Sequence, residues 1–176
     1  VPGGIRQELL WRRRGGGLET YRETRLITCA SEDTAFRWTW RTRRAALREH
    51  CLIKSPWSLQ LPDGRCLNYH GLGIRLPWMW CWGGPLDGSV EIDGVPANPR
   101  QAAGCKARSV GFHGLIDGQW EPTEAAVTLS RDRDYAWFVL REGFPYLSVG
   151  PSVLEEVTVR EGETIEETYT VIVEDR

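Results

Sequence analysis

Apolar and polar residues alternate along most of this chain, and this pattern constrains the fold more than any other feature. The segment Phe36-Arg-Trp-Thr-Trp40 alternates at every position, and Ile165–Val173 repeats the pattern near the end of the chain. A period of two places one apolar face on an extended strand, whereas an amphipathic helix needs a period of about 3.6. Helical periodicity is almost absent, and its closest candidate is Arg41–His50. The sequence therefore predicts a nearly all-β protein.

About ten strands are expected, separated by turns rich in Gly, Pro and Asp. The predicted strands are Thr20–Cys29, Phe36–Trp40, Leu47–Ile53, Cys66–Leu76, Ser89–Ile92, Ala107–His113, Ala125–Ser130, Tyr135–Arg141, Val153–Arg160 and Ile165–Val173. Turn signals such as Pro62-Asp-Gly64 and Asp93-Gly94 separate them. Short strands at this spacing form two antiparallel sheets that pack face to face. The predicted fold class is therefore an all-β antiparallel sandwich with little helix.

The chain of 176 residues is long enough for one domain with a sizeable core. Gly15-Gly-Gly17 is the one flexible joint, and it separates a short lead segment, residues 1–17, from a single sandwich domain, residues 18–176. No apolar run approaches the roughly 20 residues of a membrane-spanning helix. The five cysteines lack zinc-site spacing and fit reduced, mostly buried thiols. We therefore expect a soluble, cytoplasmic protein with no membrane partner.

Charge is unevenly distributed along the chain. Arginine dominates the first 50 residues, whereas Asp and Glu dominate residues 121–176, and the net charge is −2. A basic first third would suit nucleic acid or an acidic partner. The preferred interpretation is that the first and last strands are neighbours that neutralise each other, so nucleic-acid binding is not expected.

The segment Asn68–Gly84 concentrates residue types that bind ligands. One face of its predicted strand carries Tyr69, Gly71, Gly73 and Arg75. The two glycines leave room for a ligand or another backbone to approach closely. Arg75 lies in an otherwise apolar strand, so it either pairs with an internal carboxylate or faces an anionic or hydroxylated ligand.

Three tryptophans follow at alternate positions just past Pro77: Trp78, Trp80 and Trp82. Their spacing is that of side chains on the rim of a concave site, where a flat aromatic face stacks on a sugar ring. Aromatic side chains also fill ordinary cores, and this is the better interpretation for Trp38, Trp40 and Trp137.

His70 and His113 each lie beside a glycine in a strand-like run. They would line one cleft either as general acid and base or as part of a metal site completed by Asp117. The alternative is that each histidine forms hydrogen bonds within the core. The chain contains no GxSxG, P-loop or HExxH motif. No metal and no cofactor are therefore assigned.

Several short motifs together resemble the bacterial and fungal family labelled "PmoA" or "methane oxygenase PmoA". They are Arg22-Glu-Thr-Arg25, Phe36–Trp40, Gly71-Leu-Gly-Ile-Arg-Leu76, Phe144-Pro-Tyr-Leu-Ser-Val-Gly150, Val159–Ile165 and Tyr169–Val173. The resemblance covers roughly residues 20–175. It implies a galactose-mutarotase-like or jelly-roll-like sandwich associated with sugar catabolism. Methane oxidation is not expected, because the chain has neither a spanning segment nor convincing copper ligands.

The resulting functional hypothesis is a carbohydrate-associated protein with a sugar-binding cleft. The residues assigned to substrate binding are Tyr69, Arg75, Trp78 and Trp80, and the acid/base candidates of an enzyme are His70 and His113. A carbohydrate-binding module without catalysis and a structural or interaction protein are the alternatives. Members of the family are usually longer, so a truncated chain, a partner chain or a homo-oligomer is also expected.

Overall fold

The computed structural model describes residues 3–13, 15–52, 58–80, 88–116, 123–141 and 143–176. The strands are β1 Gly4–Arg12, β2 Glu19–Glu32, β3 Ala35–Ala46, β4 His50–Leu52, β5 Ser58–Gln60, β6 Cys66–Asn68, β7 Leu72–Arg75, β8 Ser89–Ile92, β9 Val95–Ala97, β10 Ser109–Ile116, β11 Thr123–Arg131, β12 Trp137–Leu140, β13 Tyr146–Val149, β14 Val157–Val159 and β15 Thr164–Asp175. Helix α1 covers Pro99–Ala102, and a 3-10 turn covers Trp78–Trp80. The prediction of an all-β protein with little helix is confirmed.

Eight strands form one large antiparallel sheet in the order β1-β2-β3-β15-β11-β10-β8-β9. A second sheet contains β12-β13-β7, and β14-β4 and β5-β6 form two short pairs. The strand registers place Tyr21, Arg44 and Glu167 on the same face of the large sheet as Phe112 and Leu129. We call this the inner face, because the second sheet packs against part of it.

The hydrophobic core lies between the inner face and the three-stranded sheet. Val110, Phe112 and Leu129 of the large sheet pack in one cluster with side chains of the covering layer, which include Trp137, Val139, Leu147 and Val149. Most of these side chains are fully buried. The fold is therefore a sandwich in which one end of the large sheet is covered by an apolar layer.

Another part of the inner face carries exposed apolar side chains: Ile5, Phe36, Trp38 and Val173. Residues 4–12 of the predicted lead segment form β1 and pair along β2. Association with a partner chain or a second copy stays a prediction.

The segment Arg41–His50, the closest helical candidate, is not helical in the structure. Residues 41–46 continue β3, where they pair with β2 on one side and with the acidic strand β15 on the other. Arg43 pairs with Glu166 at 2.9 Å on the face opposite the core, which we call the outer face. The basic strand β3 therefore lies beside the acidic strand β15, whereas the first strand β1 does not, because β2 and β3 lie between them.

The predicted strand Cys66–Leu76 is wrong in one respect, because it is broken between β6 and β7. Gly71 adopts a φ of +85°, a conformation that L side chains rarely adopt. A Cβ atom there would lie 1.9 Å from the Val149 carbonyl oxygen. Gly71 therefore admits a neighbouring backbone, which was one of the two alternatives for the glycines of this segment.

The cysteines at 29, 51, 66 and 105 are free thiols, and Cys81 lies outside the described residues. Cys51 is exposed and the other three are half-buried, so the expectation of mostly buried thiols is only partly right. In the described part of the chain, no helix has the length and apolar character needed to cross a membrane.

Candidate functional site

A cavity of about 440 Å³ lies between the inner face and the segment that follows β6. Six strands and one loop contribute to it. The side chains that line it are Trp11, Thr20, Tyr21, Glu23, Arg25, Trp40, Thr42, Arg44, His50, Leu52, Tyr69, His70, Leu72, Glu167 and Tyr169, and Gly71 adds backbone. We call it the inner-face cavity.

Glu23 is the most heavily hydrogen-bonded group in the cavity wall, and only 2% of it is exposed. Its carboxylate accepts hydrogen bonds from Trp11 Nε1 and Thr42 Oγ1, both at 2.6 Å, and from Arg25 Nε at 2.9 Å. Burial opposes ionisation, but these donors more than offset it, so the pKa of Glu23 is lowered. Glu23 is therefore a carboxylate at neutral pH, held in place from three sides.

A second buried ion pair joins Arg44 and Glu167. Burial opposes the charge on Arg44, but the Glu167 carboxylate outweighs it, and the pKa of the guanidinium is raised. Burial raises the pKa of Tyr169 far above its ordinary value, and the neighbouring Glu167 adds to the effect. Arg44 also lies over the ring of Tyr21, 5.9 Å from its centroid. The floor of the cavity is thus a compact group of two charges and two neutral phenols.

His70 is positioned by the tight contact between its loop and β13. A Cβ atom at Gly150 would lie 2.8 Å from His70 Nδ1, so the imidazole packs directly on backbone there. Burial, with a smaller contribution from the Arg44 charge, lowers the pKa of His70 to about 4. His70 is therefore a neutral imidazole at pH 7, suited to hydrogen bonding.

Several buried polar atoms of the cavity wall have no hydrogen-bond partner among the described residues. They include Tyr21 Oη, Arg44 Nε, His50 Nε2 and His70 Nδ1. The rings of Tyr21 and His50 meet edge to face with centroids 4.3 Å apart, so these two groups lie side by side. An unsatisfied buried polar atom costs about 1–3 kcal/mol, and such atoms are rare in native proteins. Their concentration around one cavity marks it as the candidate binding site.

Two half-exposed aromatic side chains line the same cavity. Trp11 is 45% exposed and Tyr69 is 43% exposed, while most of the other lining residues are more buried. Tyr69 stacks on Tyr146 with ring centroids 4.7 Å apart, which fixes its orientation. The cavity therefore combines flat apolar surfaces near solvent with polar groups deeper in the wall.

His113, the second predicted acid/base residue, lies on the outer face of β10. Its ring nitrogens lie 3.4 Å from Glu91 Oε1 and 3.3 Å from Glu124 Oε1, beside the Arg176–Glu91 ion pair. His70 faces the inner-face cavity, so the whole large sheet separates the two histidines. The prediction that they share one cleft is wrong, because strand alternation places His113 opposite Phe112.

The other substrate-binding candidates are also dispersed. Arg75 is exposed and stacks on Phe144, 4.8 Å from the ring centroid, so it is not a buried cation in need of a carboxylate. Trp78 is 71% exposed, and it is absent from the lining of the inner-face cavity. Of the four candidates, only Tyr69 lines this cavity.

Trp80 is a core residue and not a rim residue. It is fully buried, and its indole Nε1 donates to the Leu115 carbonyl at 2.9 Å. A Cβ atom at Gly114 would lie 2.9 Å from that nitrogen, so glycine makes room for the ring. The 3-10 turn Trp78–Trp80 replaces the predicted period of two. Trp82 and Asp117 lie outside the described residues.

Most of the cavity residues were missed by sequence reasoning, although a signal existed. Glu167 occupies an inward position between Ile165 and Tyr169, and Glu23 occupies one between Tyr21 and Arg25. A charged residue at an inward position of a strand, beside buried apolar or aromatic residues, predicts a buried polar site. Within the described ranges, no group of three His, Cys, Asp or Glu side chains is arranged to hold a metal ion.

The chemistry available in the cavity is hydrogen bonding and aromatic stacking. At pH 7 His70 is a neutral imidazole without the acidic proton of an imidazolium, and a pKa of about 4 makes it a weak base. The paired charges and neutral phenols suit a ligand that both donates and accepts hydrogen bonds.

Neither the curated proteins nor the solved structures include a match to this chain. The match to a protein family is described as "Family of unknown function (DUF6807)" and covers residues 1–176. Because that match extends over the full chain, the protein belongs to the DUF6807 family.

Proposed function

We propose that this protein binds a small polyhydroxylated molecule, a sugar or a close analogue, in the inner-face cavity. The observation that carries the proposal is the coincidence of two half-exposed aromatic rings with buried, unsatisfied polar atoms around one cavity. Sugars present apolar ring faces together with several hydroxyls that donate and accept hydrogen bonds. A cavity of about 440 Å³ is within the usual size range of small-molecule sites.

The polar groups of the wall match the needs of a hydroxylated ligand. The guanidinium of Arg44 is a donor, the carboxylates of Glu23 and Glu167 are acceptors, and the hydroxyl of Tyr21 serves as either. Burial raises the pKa of Tyr21 to about 12, so its hydroxyl keeps its proton. The resemblance to a family associated with sugar catabolism supports the same ligand class.

Binding is favoured over acid/base catalysis as the role of the cavity. A general acid or base works best with a pKa near the working pH, and the lowered pKa of His70 is far from that range. His113 lies on the opposite face of the sheet. The inner-face cavity therefore lacks the titrating histidine pair on which the enzymatic hypothesis depends.

The test compares two exposed tryptophans, of which Trp11 lines the cavity and Trp78 does not. Isothermal titration calorimetry with a panel of neutral monosaccharides is expected to give saturable binding for at least one sugar. Trp11→Ala should weaken that binding about tenfold or more, since it removes an aromatic surface and a donor to Glu23. Trp78→Ala is the matched control and should bind as the unchanged protein does.

Two outcomes would contradict the proposal. The first is the absence of binding by any sugar of the panel at millimolar concentration. The second is an equal loss of affinity in Trp11→Ala and Trp78→Ala, because this would place the binding surface outside the inner-face cavity.

A further inference from the structure

The charged side chains of the inner-face cavity cancel one another in pairs. Among the described residues that line it, the Asp, Glu, Lys and Arg side chains are Glu23, Arg25, Arg44 and Glu167. Arg25 Nε lies 2.9 Å from Glu23 Oε1, and Arg44 pairs with Glu167. The cavity therefore contains two cations and two anions, and each cation already has its anion.

Each pair is held firmly enough that its two charges stay compensated when a ligand enters, although Arg44 Nε remains able to donate a hydrogen bond. Glu23 receives donors from Trp11 and Thr42 as well as from Arg25. Glu167 has a side chain that is almost wholly buried, and its partner Arg44 is nearly so. Separating such a pair would leave one buried charge without compensation, which proteins avoid.

His70 in the cavity wall does not supply an additional positive charge. This imidazole packs on the backbone at Gly150 and lies in the field of the Arg44 guanidinium, which disfavours a second positive charge. Tyr21 and Tyr169 are neutral phenols. A ligand carboxylate or phosphate would therefore find no unpaired cation among these residues. It would instead be repelled by the two fixed carboxylates.

From this arrangement we infer that the cavity selects an uncharged polyhydroxylated ligand over the matching sugar acid or sugar phosphate, and that the Arg44–Glu167 pair determines the selection. The inference rests on the proposed sugar-binding function and narrows it to neutral sugars. Hydroxyl groups bind beside an intact ion pair, because they accept from the guanidinium and donate to the carboxylate. An anionic ligand would compete with Glu167 for the positive charge of Arg44 and would lie close to the Glu167 carboxylate.

The decisive experiment uses matched ligand pairs on the unchanged protein. Glucose is compared with glucuronate and with glucose 6-phosphate, and galactose with galacturonate, by calorimetry at pH 7 and 0.15 M salt. The neutral member of a pair is expected to bind about tenfold or more tightly than its acid. An acid or phosphate that binds as tightly as the neutral sugar would overturn the inference while leaving the proposed function intact. If no member of any pair binds, the proposed function fails and the inference falls with it.

A pair of neighbouring variants assigns the effect to the buried ion pair. Glu167→Gln preserves the side-chain shape and frees the charge of Arg44, so the preference should shift toward the acid by about tenfold. Glu166→Gln, on the outer face, removes one partner of an exposed pair with Arg43 and should leave the preference unchanged. An unchanged preference in a cooperatively melting Glu167→Gln protein would show that this pair is not the determinant. Should Glu167→Gln fail to fold, the ligand comparison on the unchanged protein still decides the charge selectivity.

Discussion

The two ends of the inner face belong to the same sheet but bury opposite kinds of side chain. At β10 and β11 the inward positions are Val110, Phe112 and Leu129, which pack against the second sheet. At β2, β3 and β15 the inward positions include Glu23 and Glu167, which are almost as completely buried. Both sets lie on the inner face because successive side chains of a strand point to opposite faces of the sheet.

The difference teaches that burial in this protein has two separate causes. At the core end, removal of apolar surface from water drives packing. At the cavity end, burial disfavours the charged form of each side chain. The charges are stable there only because each is paired and hydrogen-bonded. A group of buried ion pairs contributes little to stability, so its presence beside a cavity points to binding.

The largest effect is expected at the core end. Phe112→Ala removes a fully buried ring from the contact between the sheets and should lower the free energy of unfolding by about 3–5 kcal/mol. Urea denaturation followed by tryptophan fluorescence measures it. A loss below about 1 kcal/mol would mean that the two layers are not packed together at this position.

A smaller but more diagnostic effect is expected at the cavity end. Arg44→Met leaves the Glu167 carboxylate buried without its partner, and should cost about 3 kcal/mol. The double variant Arg44→Met/Glu167→Met removes both charges and should recover most of that loss. The double-mutant cycle is measured in the same urea experiment. Losses that simply add would show that the two charges do not depend on each other.

The pH dependence of stability provides a third distinction between the ends. The folded pKa of His70, about 4, lies below its unfolded value near 6.5, so its contribution to stability is present above pH 6.5 and is lost as the pH falls toward 4. His70→Gln should therefore flatten the stability curve over this window. Melting temperatures of both proteins between pH 4 and pH 7.5 test it. Parallel curves for the two proteins would exclude a buried, neutral His70.

The smallest effect is expected on the outer face. Arg43→Gln breaks the exposed pair with Glu166 and should change the free energy of unfolding by less than about 1 kcal/mol. The change should shrink further in 0.5 M salt, because exposed charges are screened. A loss as large as that of Arg44→Met would mean that the two faces of β3 have been assigned the wrong way round.

Much of the fold could be predicted from the sequence, because strand alternation and turn residues act locally. The pattern in Phe36–Trp40 and Ile165–Val173 predicts two strands that the structure contains, although each continues beyond the predicted ends. The uneven charge favoured first and last strands that are neighbours; the acidic β15 does pair with the basic β3, but β1 and β2 lie beyond β3 in the sheet. The failures are at positions such as Gly71, where contact with distant backbone at Val149 decides the local conformation.

The candidate site was much less predictable, because a site depends on which strand faces meet in space. His70 and His113 have similar sequence contexts, yet His113 lies on the outer face because side chains alternate along β10. Trp80 and Trp78 lie two residues apart, and the 3-10 turn buries one and exposes the other. Residues from Trp11 to Tyr169 meet in one cavity only after β1, β2, β3 and β15 have paired.

The sequence by itself determined the class of fold, the alternation of inward and outward residues, and the match to the DUF6807 family. Tertiary structure alone decided that Glu23, Arg44 and Glu167 share a cavity with His70, because these residues come from strands and a loop far apart in the chain. The physical reason is that alternation is a property of neighbouring residues, whereas charge pairing and desolvation depend on groups that the sheet brings together.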